Sequence, residues 1–254
     1  INQCSHINEL ALPELDPERL PVFLGGVAIV YATFKMLKID QMTVADGALR
    51  EGLIQDLLGR IYDHDMRAAT VAALAERYRT DRDHASRIRQ TIGVMLEQLA
   101  GMDFLVDNGA ITQFLFWAAD LHEIGIDIAH SQYHKHSAYI IANGDLAGFS
   151  SQDQLVLAAI VKSHRRKFSR AAFKALPHPW NSYAPYLTII LRLAVLLRRN
   201  RHNYMLPHFE ITFVKSAIRL QFPVSWLLQS PLTHADLIKE ADFLRSAGFK
   251  LEFC

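Results

Sequence analysis

The sequence predicts a mainly α fold that closes in a small α+β module. Apolar residues recur at helical spacing through residues 63–203. After Pro207 the period shortens to β-rich runs around a tight turn. Half of the 254 residues are apolar, which is ample for a buried core in one large domain or two modest ones. The two cysteines, Cys4 and Cys254, stand at opposite ends, so neither a disulfide framework nor a thiolate metal site is expected.

Residues 22–60 read as loop, helix, strand, helix. Gly25-Gly26 form the loop, and Val27–Leu37 carries helical apolar spacing. Gln41–Ala45 is a short β candidate, and Asp46-Gly47 turn the chain into a helix over Ala48–Arg60. A glycine pair at a helix N-terminus offers unpaired N–H groups and a partial positive charge, which suits phosphate or the edge of a nucleotide. Close packing is the plainer use of such a pair.

Helices then follow one another. Ala68–Tyr78 is rich in helix formers, and Asp81 or Asp83 can cap a second helix carrying His84, Ile88, Ile92 and Met95 at helical intervals. Ile111–Glu123 is apolar enough for a buried central helix that Gly125 ends. Ser137–Ala142, Ser151–Ser163 and Tyr186–Arg199 supply three more, with Pro177 and Pro179 flanking a loop near His178. Beyond Pro207, Glu210–Val214 and Ala217–Phe222 are expected as strands joined at Lys215-Ser216. Thr233 is expected as the N-cap of a helix, with Asp236 at its third position and Leu232 and Leu237 as a hydrophobic staple. Gly248 stops that helix before a strand over Phe249–Phe253. This ββαβ unit holds little that resembles a catalytic site.

A formal charge of +1 argues against a globally basic nucleic-acid binder. Residues 1–20 are polar and broken by Pro13 and Pro17, unlike a signal peptide, and Val22–Leu37 is too short and mixed for stable membrane insertion. A cytoplasmic protein is the expectation. Local basic clusters remain. Lys135 lies between His134 and His136; Arg165, Arg166, Lys167 and Arg170 follow His164; Arg198, Arg199 and Arg201 close the last core helix. A polyphosphate gains charge-assisted hydrogen bonds and counterion release from such a row, whereas an ordinary charge run is a solvated face. Aromatic residues are not interleaved with these bases, which disfavours nucleic acid.

His84, His122, Glu123, His130, His134, His136 and His164 all fall in the helical block. A divalent ion wants at least three protein ligands and an open position for water, so converging imidazoles and carboxylates point to metal phosphohydrolase ancestry. A lone histidine on an apolar helix is more often a hydrogen-bonded core residue. The block resembles a degenerate HD superfamily domain. His84 matches its early histidine and His122 its paired histidine, while Glu123 stands where the paired Asp belongs and Val195 where a late Asp belongs. Val195 cannot bind metal, so the expectation is that no catalytic metal is held, with His84, His122 and Glu123 as the alternative set and a structural role for His122 and Glu123.

The chain as a whole resembles the exopolyphosphatase / guanosine pentaphosphate phosphohydrolase family, in its C-terminal portion. The matching residues are Gly25-Gly26-Val27-Ala28-Ile29, Asp46–Gly52, Leu121-His122-Glu123-Ile124-Gly125, His134–Ile140 and His164-Arg165-Arg166-Lys167. The resemblance implies that residues 1–62 finish an actin-like ATPase (α/β) domain, that 63–203 form a degenerate HD-like helical domain, and that 204–254 form the small terminal domain. It places the catalytic carboxylates, the phosphate loops and a Mg²⁺ site in an N-terminal half that this sequence does not include. The opening at Ile1, close ahead of Gly25-Gly26, fits that reading.

The expected function is therefore the C-terminal part of an exopolyphosphatase acting as a homodimer, inactive alone. Lys135, His136, Arg165, Arg166 and Lys167 would hold inorganic polyphosphate, and Gly25, Gly26, Arg50 and Glu51 would wall the cleft. Guanosine pentaphosphate hydrolysis on the same scaffold is the alternative. A self-sufficient HD metal phosphohydrolase acting on nucleotides and a regulatory or dimerisation module without turnover are further readings.

Overall fold

The computed structural model describes residues 16–43, 66–105, 108–201 and 204–254. They fall in two units divided after Ala45. The first contains helix α1, Leu20–Leu37. Pro21 sits in its first turn, where the missing N–H is no loss, and Lys38 ends it in a left-handed conformation with its N–H on the Phe34 carbonyl. Gly25 and Gly26 therefore lie inside this helix and not in a loop before it. Their N–H groups belong to the helical ladder, so the anion-binding helix start expected there is corrected. The apolar run on both sides of the pair outweighs the roughly 1 kcal/mol that each glycine costs relative to alanine. Residues 41–43 have no strand pairing, against the β expectation. The rest of that segment, the 48–60 helix, Arg50 and Glu51 lie outside the described residues.

The second unit is mainly helical with a small three-stranded sheet. Its helices are α2 (Met66–Arg77), α3 (Arg82–Gln98), α4 (Asn108–Leu121), α5 (Tyr133–Asn143), α6 (Ser151–Ser163) and α7 (Trp180–Leu197). Asp81 caps α3, its carboxylate accepting from the His84 N–H at 2.9 Å. Ser150 and Asp153 make a reciprocal capping box on α6. Helix α7 starts six residues earlier than its periodicity predicts and carries Pro185 inside it. Its middle is buried on nearly every side, from Leu187 to Ala194.

Strands β1 (Glu210–Val214) and β2 (Ala217–Gln221) pair antiparallel, and β3 (Lys250–Phe253) joins β2 in parallel. The order is β1-β2-β3, with Lys215 left-handed in the hairpin turn. Ile211, Phe213, Ile218, Leu220 and Leu251 point inward and share one continuous core with Ile92, Leu115, Ile160 and Leu191 of the helices. The Gln98 side chain stitches α3 to the sheet, donating to the Phe209 carbonyl and accepting from the Ile211 N–H.

Between β2 and β3 lie a short helix α8 (Trp226–Gln229) and α9 (Pro231–Arg245). Helix α9 starts at Pro231 after Ser230, two residues before the expected Thr233 cap. Proline at the first helical position is pre-set for the turn, and Leu232 is 81% exposed, so no staple forms. Gly248, with φ +80°, makes the left-handed exit that the sequence predicts. No described helix is long and apolar enough to cross a membrane.

Candidate anion and histidine site

Helix α4 stops at Leu121, so His122 and Glu123 fall in the bend leading to a 3-10 turn over Ile124–Asp127. Gly125 lies in that turn and does not end the helix. Its role is close approach: a Cβ there would stand 2.3 Å from the Tyr133 carbonyl oxygen and 2.4 Å from the Ser137 nitrogen. The space is taken because the Gly125 N–H donates to Ser137 Oγ at 2.9 Å, and that hydroxyl donates to the His122 carbonyl at 2.9 Å. One buried serine thus locks the two histidine-bearing motifs together.

Four buried imidazoles result. The His122 ring centroid lies 6.0 Å from that of His84 and 5.3 Å from that of His164, which is 6.2 Å from that of His134. His122 Nδ1 meets the Ala119 carbonyl at 2.7 Å, and His164 Nδ1 meets the Val161 carbonyl at 2.6 Å. Among the described residues, His84 Nδ1, His122 Nε2, His134 Nδ1 and His164 Nε2 have no hydrogen-bond partner. Burial pushes all four below the ordinary imidazole range, to about 4 for His84 and His134. Neighbouring positive charge adds to this at His134, from Arg165 first. All four are neutral at pH 7.

His84, Glu123, Tyr133 and His164 open onto a cavity of about 430 Å³. Its walls carry Arg165, Arg166, Arg192, Arg199, Arg201 and Lys239, against Glu123, Asp236 and Glu240. The carboxylates are already engaged: Glu240 with Arg192, Asp236 with Arg199, and Glu123 with Arg201. Arg165, Arg166 and Lys239 have no ion pair among the described residues. The Arg165 guanidinium sits over the Tyr133 ring, 4.5 Å from its centroid, and Arg166 is left-handed, its carbonyl held by Arg192 Nη2 at 2.9 Å. A cavity with spare cations and neutral imidazoles can take a phosphate-bearing anion.

Of the sequence-predicted anion ligands, Arg165 and Arg166 line this cavity, whereas Lys135, His136 and Lys167 do not. Lys135 and Lys167 are exposed. Val195 lines the cavity without a ligating atom. The terminal module, expected to hold little, forms a wall: Asp236, Lys239, Glu240 and Phe243 all come from α9. Arg192 is a wall residue that the sequence does not signal, because charge in an apolar run gives no hint of a buried partner 48 residues on. A larger cavity of about 640 Å³ between α2, α3 and α4 has largely small and apolar walls, and its Asp120 is paired with Arg89.

His84, His122 and Glu123 form the one group of three or more His, Cys, Asp or Glu found among the described residues with ligating atoms close enough to share an ion. Two imidazoles and one carboxylate do not fit Mg²⁺, which takes oxygen ligands. No step through Mg²⁺ is derived from these residues.

Residues 66–241 match the model of Ppx/GppA phosphatase domain III, and residues 1–61 match that of the Ppx/GppA phosphatase family. A guanosine-5'-triphosphate,3'-diphosphate pyrophosphatase of Pseudoalteromonas translucida is 37% identical over 96% of this chain and 49% of its own length. Proteins of the same name from Aeromonas hydrophila and Vibrio parahaemolyticus are 35% and 32% identical, each over 97% of this chain and 49% of their own. The chain spans about half the length of the curated relatives it matches. With domain III matched across most of its length, the chain belongs to the Ppx/GppA phosphatase family.

Proposed function

We propose that this chain is the C-terminal half of a guanosine pentaphosphate phosphohydrolase, and that its helical unit holds phosphate groups in the cavity between α3, α5, α7 and α9. The relatives' names favour the nucleotide over the polymer, which reverses the order of substrates expected from the sequence. One observation carries the structural side. Arg165, Arg166 and Lys239 converge without carboxylate partners among the described residues, in a pocket whose buried imidazoles are uncharged. A polymer track needs cations in a row beyond that pocket, and Lys135 and Lys167 lie off its wall.

In this reading residues 1–62 close an actin-like domain, α2–α7 are a degenerate HD-like core, and the groups that activate water belong to the other half of such an enzyme. Water would attack the terminal phosphorus and release inorganic phosphate, while this half binds and orients negative charge remote from the broken bond. The polymer reading keeps one support, the consecutive Arg165, Arg166 and Lys167. The test is kcat/KM of the intact protein on guanosine pentaphosphate and on long-chain polyphosphate. At least tenfold preference for the nucleotide is expected; the reverse preference returns the polymer reading.

A further inference from the structure

One face of α9 completes the wall of the anion cavity. Asp236, Lys239, Glu240 and Phe243 recur at the spacing that puts residues on one side of a helix. A single helix thus brings one cation and two carboxylates to the space that Arg165 and Arg166 line. A carboxylate in a pocket for phosphate repels the ligand unless a cation neutralises it. Each carboxylate of this wall has an arginine, but the pairs differ in how firmly they are held.

Glu240 and Arg192 are both buried and share two hydrogen bonds, so that pair is a fixed part of the core. Glu123 is also buried, and its partner Arg201 is shared with Asp81. Arg199 differs from both. It stands just beyond the end of α7, and its side chain is 70% exposed while that of Asp236 is 16% exposed. Its Nη1 donates to Asp236 Oδ2, the one hydrogen bond of this guanidinium among the described residues. A pair with one partner so exposed is weak, so a phosphate group can compete with Asp236 for Arg199.

We propose that Asp236 is a specificity-determining residue, which restricts the cavity to short phosphate chains by withholding Arg199 from the anion. The inference rests on the phosphate reading above. A triphosphate seated on Arg165, Arg166 and Lys239 meets one open cation per phosphate group and gains little from another at the rim. A longer chain must run out of the cavity. Of the paired arginines in the wall Arg199 is the most exposed, and so the one that such a chain can reach. In the wild type it presents no net charge, because Asp236 already neutralises it. Specificity is a difference of two affinities, and here it is set by what the longer ligand fails to gain.

The experiment titrates the 254-residue chain calorimetrically with inorganic tripolyphosphate and with long-chain polyphosphate, and compares the two affinities as a ratio. Asp236→Asn removes the charge, keeps the shape and is expected to fold as the wild type does, its partner being exposed. It should tighten long-chain binding at least tenfold and tripolyphosphate binding less than threefold. Asp236→Glu, which keeps the charge, should leave the ratio at its wild-type value. Adding Arg199→Ala to Asp236→Asn should cancel the gain. An unchanged ratio in Asp236→Asn would overturn the proposal, and tripolyphosphate binding that still needs Arg165 and Arg166 would then leave the phosphate reading standing. A gain shared equally by both probes, or one that survives Arg199→Ala, would overturn it as well, since loss of any nearby negative charge does the same. If neither probe binds the wild type or Asp236→Asn, the phosphate reading and this inference fail together.

Discussion

Arg192 and Glu240 meet in a two-pronged buried pair, Nε to Oε1 at 2.5 Å and Nη2 to Oε2 at 2.7 Å. The same guanidinium donates to the Ser163 and Arg166 carbonyls, so one side chain ties α7 to α9 and to the basic loop after α6. Removing one partner strands the other charge in a low-dielectric interior. Arg192→Met is expected to cost about 3–5 kcal/mol in urea unfolding, and Arg192→Met with Glu240→Leu to recover much of that loss. A double variant as unstable as the single one would show that the carbonyl contacts, and not the charge, dominate.

Two glycines should respond in opposite ways. Gly125→Ala drives a methyl into the Tyr133 carbonyl and the Ser137 nitrogen, both backbone atoms that cannot step aside. A loss of roughly 2–4 kcal/mol is expected, since the turn must open and the Ser137 bridge with it. Gly93, inside α3, has no atom within 4 Å of its added Cβ, so Gly93→Ala should gain about 0.5–1 kcal/mol from helix propensity alone. Thermal unfolding of the two variants distinguishes them directly.

Periodicity made α2–α6 and the hairpin readable because apolar residues recur along each at a fixed interval, and Asp81 and Gly248 carry local rules that need no partner. What stayed hidden depends on distant contacts. The Leu121-His122-Glu123-Ile124-Gly125 motif was visible as letters, but its glycine serves a serine twelve residues later, not a helix end. Gly25-Gly26 misled because glycine pairs mark turns more often than the interiors of strongly apolar helices. Of the basic residues, spacing could not tell Arg165, which enters the cavity, from Lys167, two positions on, which does not.

Acid should destabilise the helical unit early. His84 and His134 are held to about 4 in the folded chain, and an unfolded histidine titrates near 6.5. Between those values the unfolded chain binds more protons, so stability is full above about pH 6.5 and falls as pH drops towards 4. Each such histidine contributes a slope of up to about 1.4 kcal/mol per pH unit. Urea midpoints from pH 7.5 to 4.5 should fall steeply, and His134→Gln should flatten the curve. A flat wild-type profile would mean that these imidazoles are free to protonate in place.

The cavity reading separates cations that sequence alone treats as one cluster. Arg165 and Arg166 line the pocket, whereas Lys135 and Lys167 are exposed outside it. Inorganic tripolyphosphate is a suitable probe, since it presents the charge of a nucleotide's phosphate chain without its base. Arg165→Ala with Arg166→Ala should weaken its binding at least tenfold. The slope of log affinity against log salt should fall as well, because fewer counterions are released when two contacts are lost. Lys135→Ala with Lys167→Ala should change affinity less than threefold, because a rim charge in water is screened and poorly fixed. Calorimetric titration at two salt concentrations reads both quantities. If the lysine pair proves the more costly, the anion runs along the outer face and the pocket is not its seat.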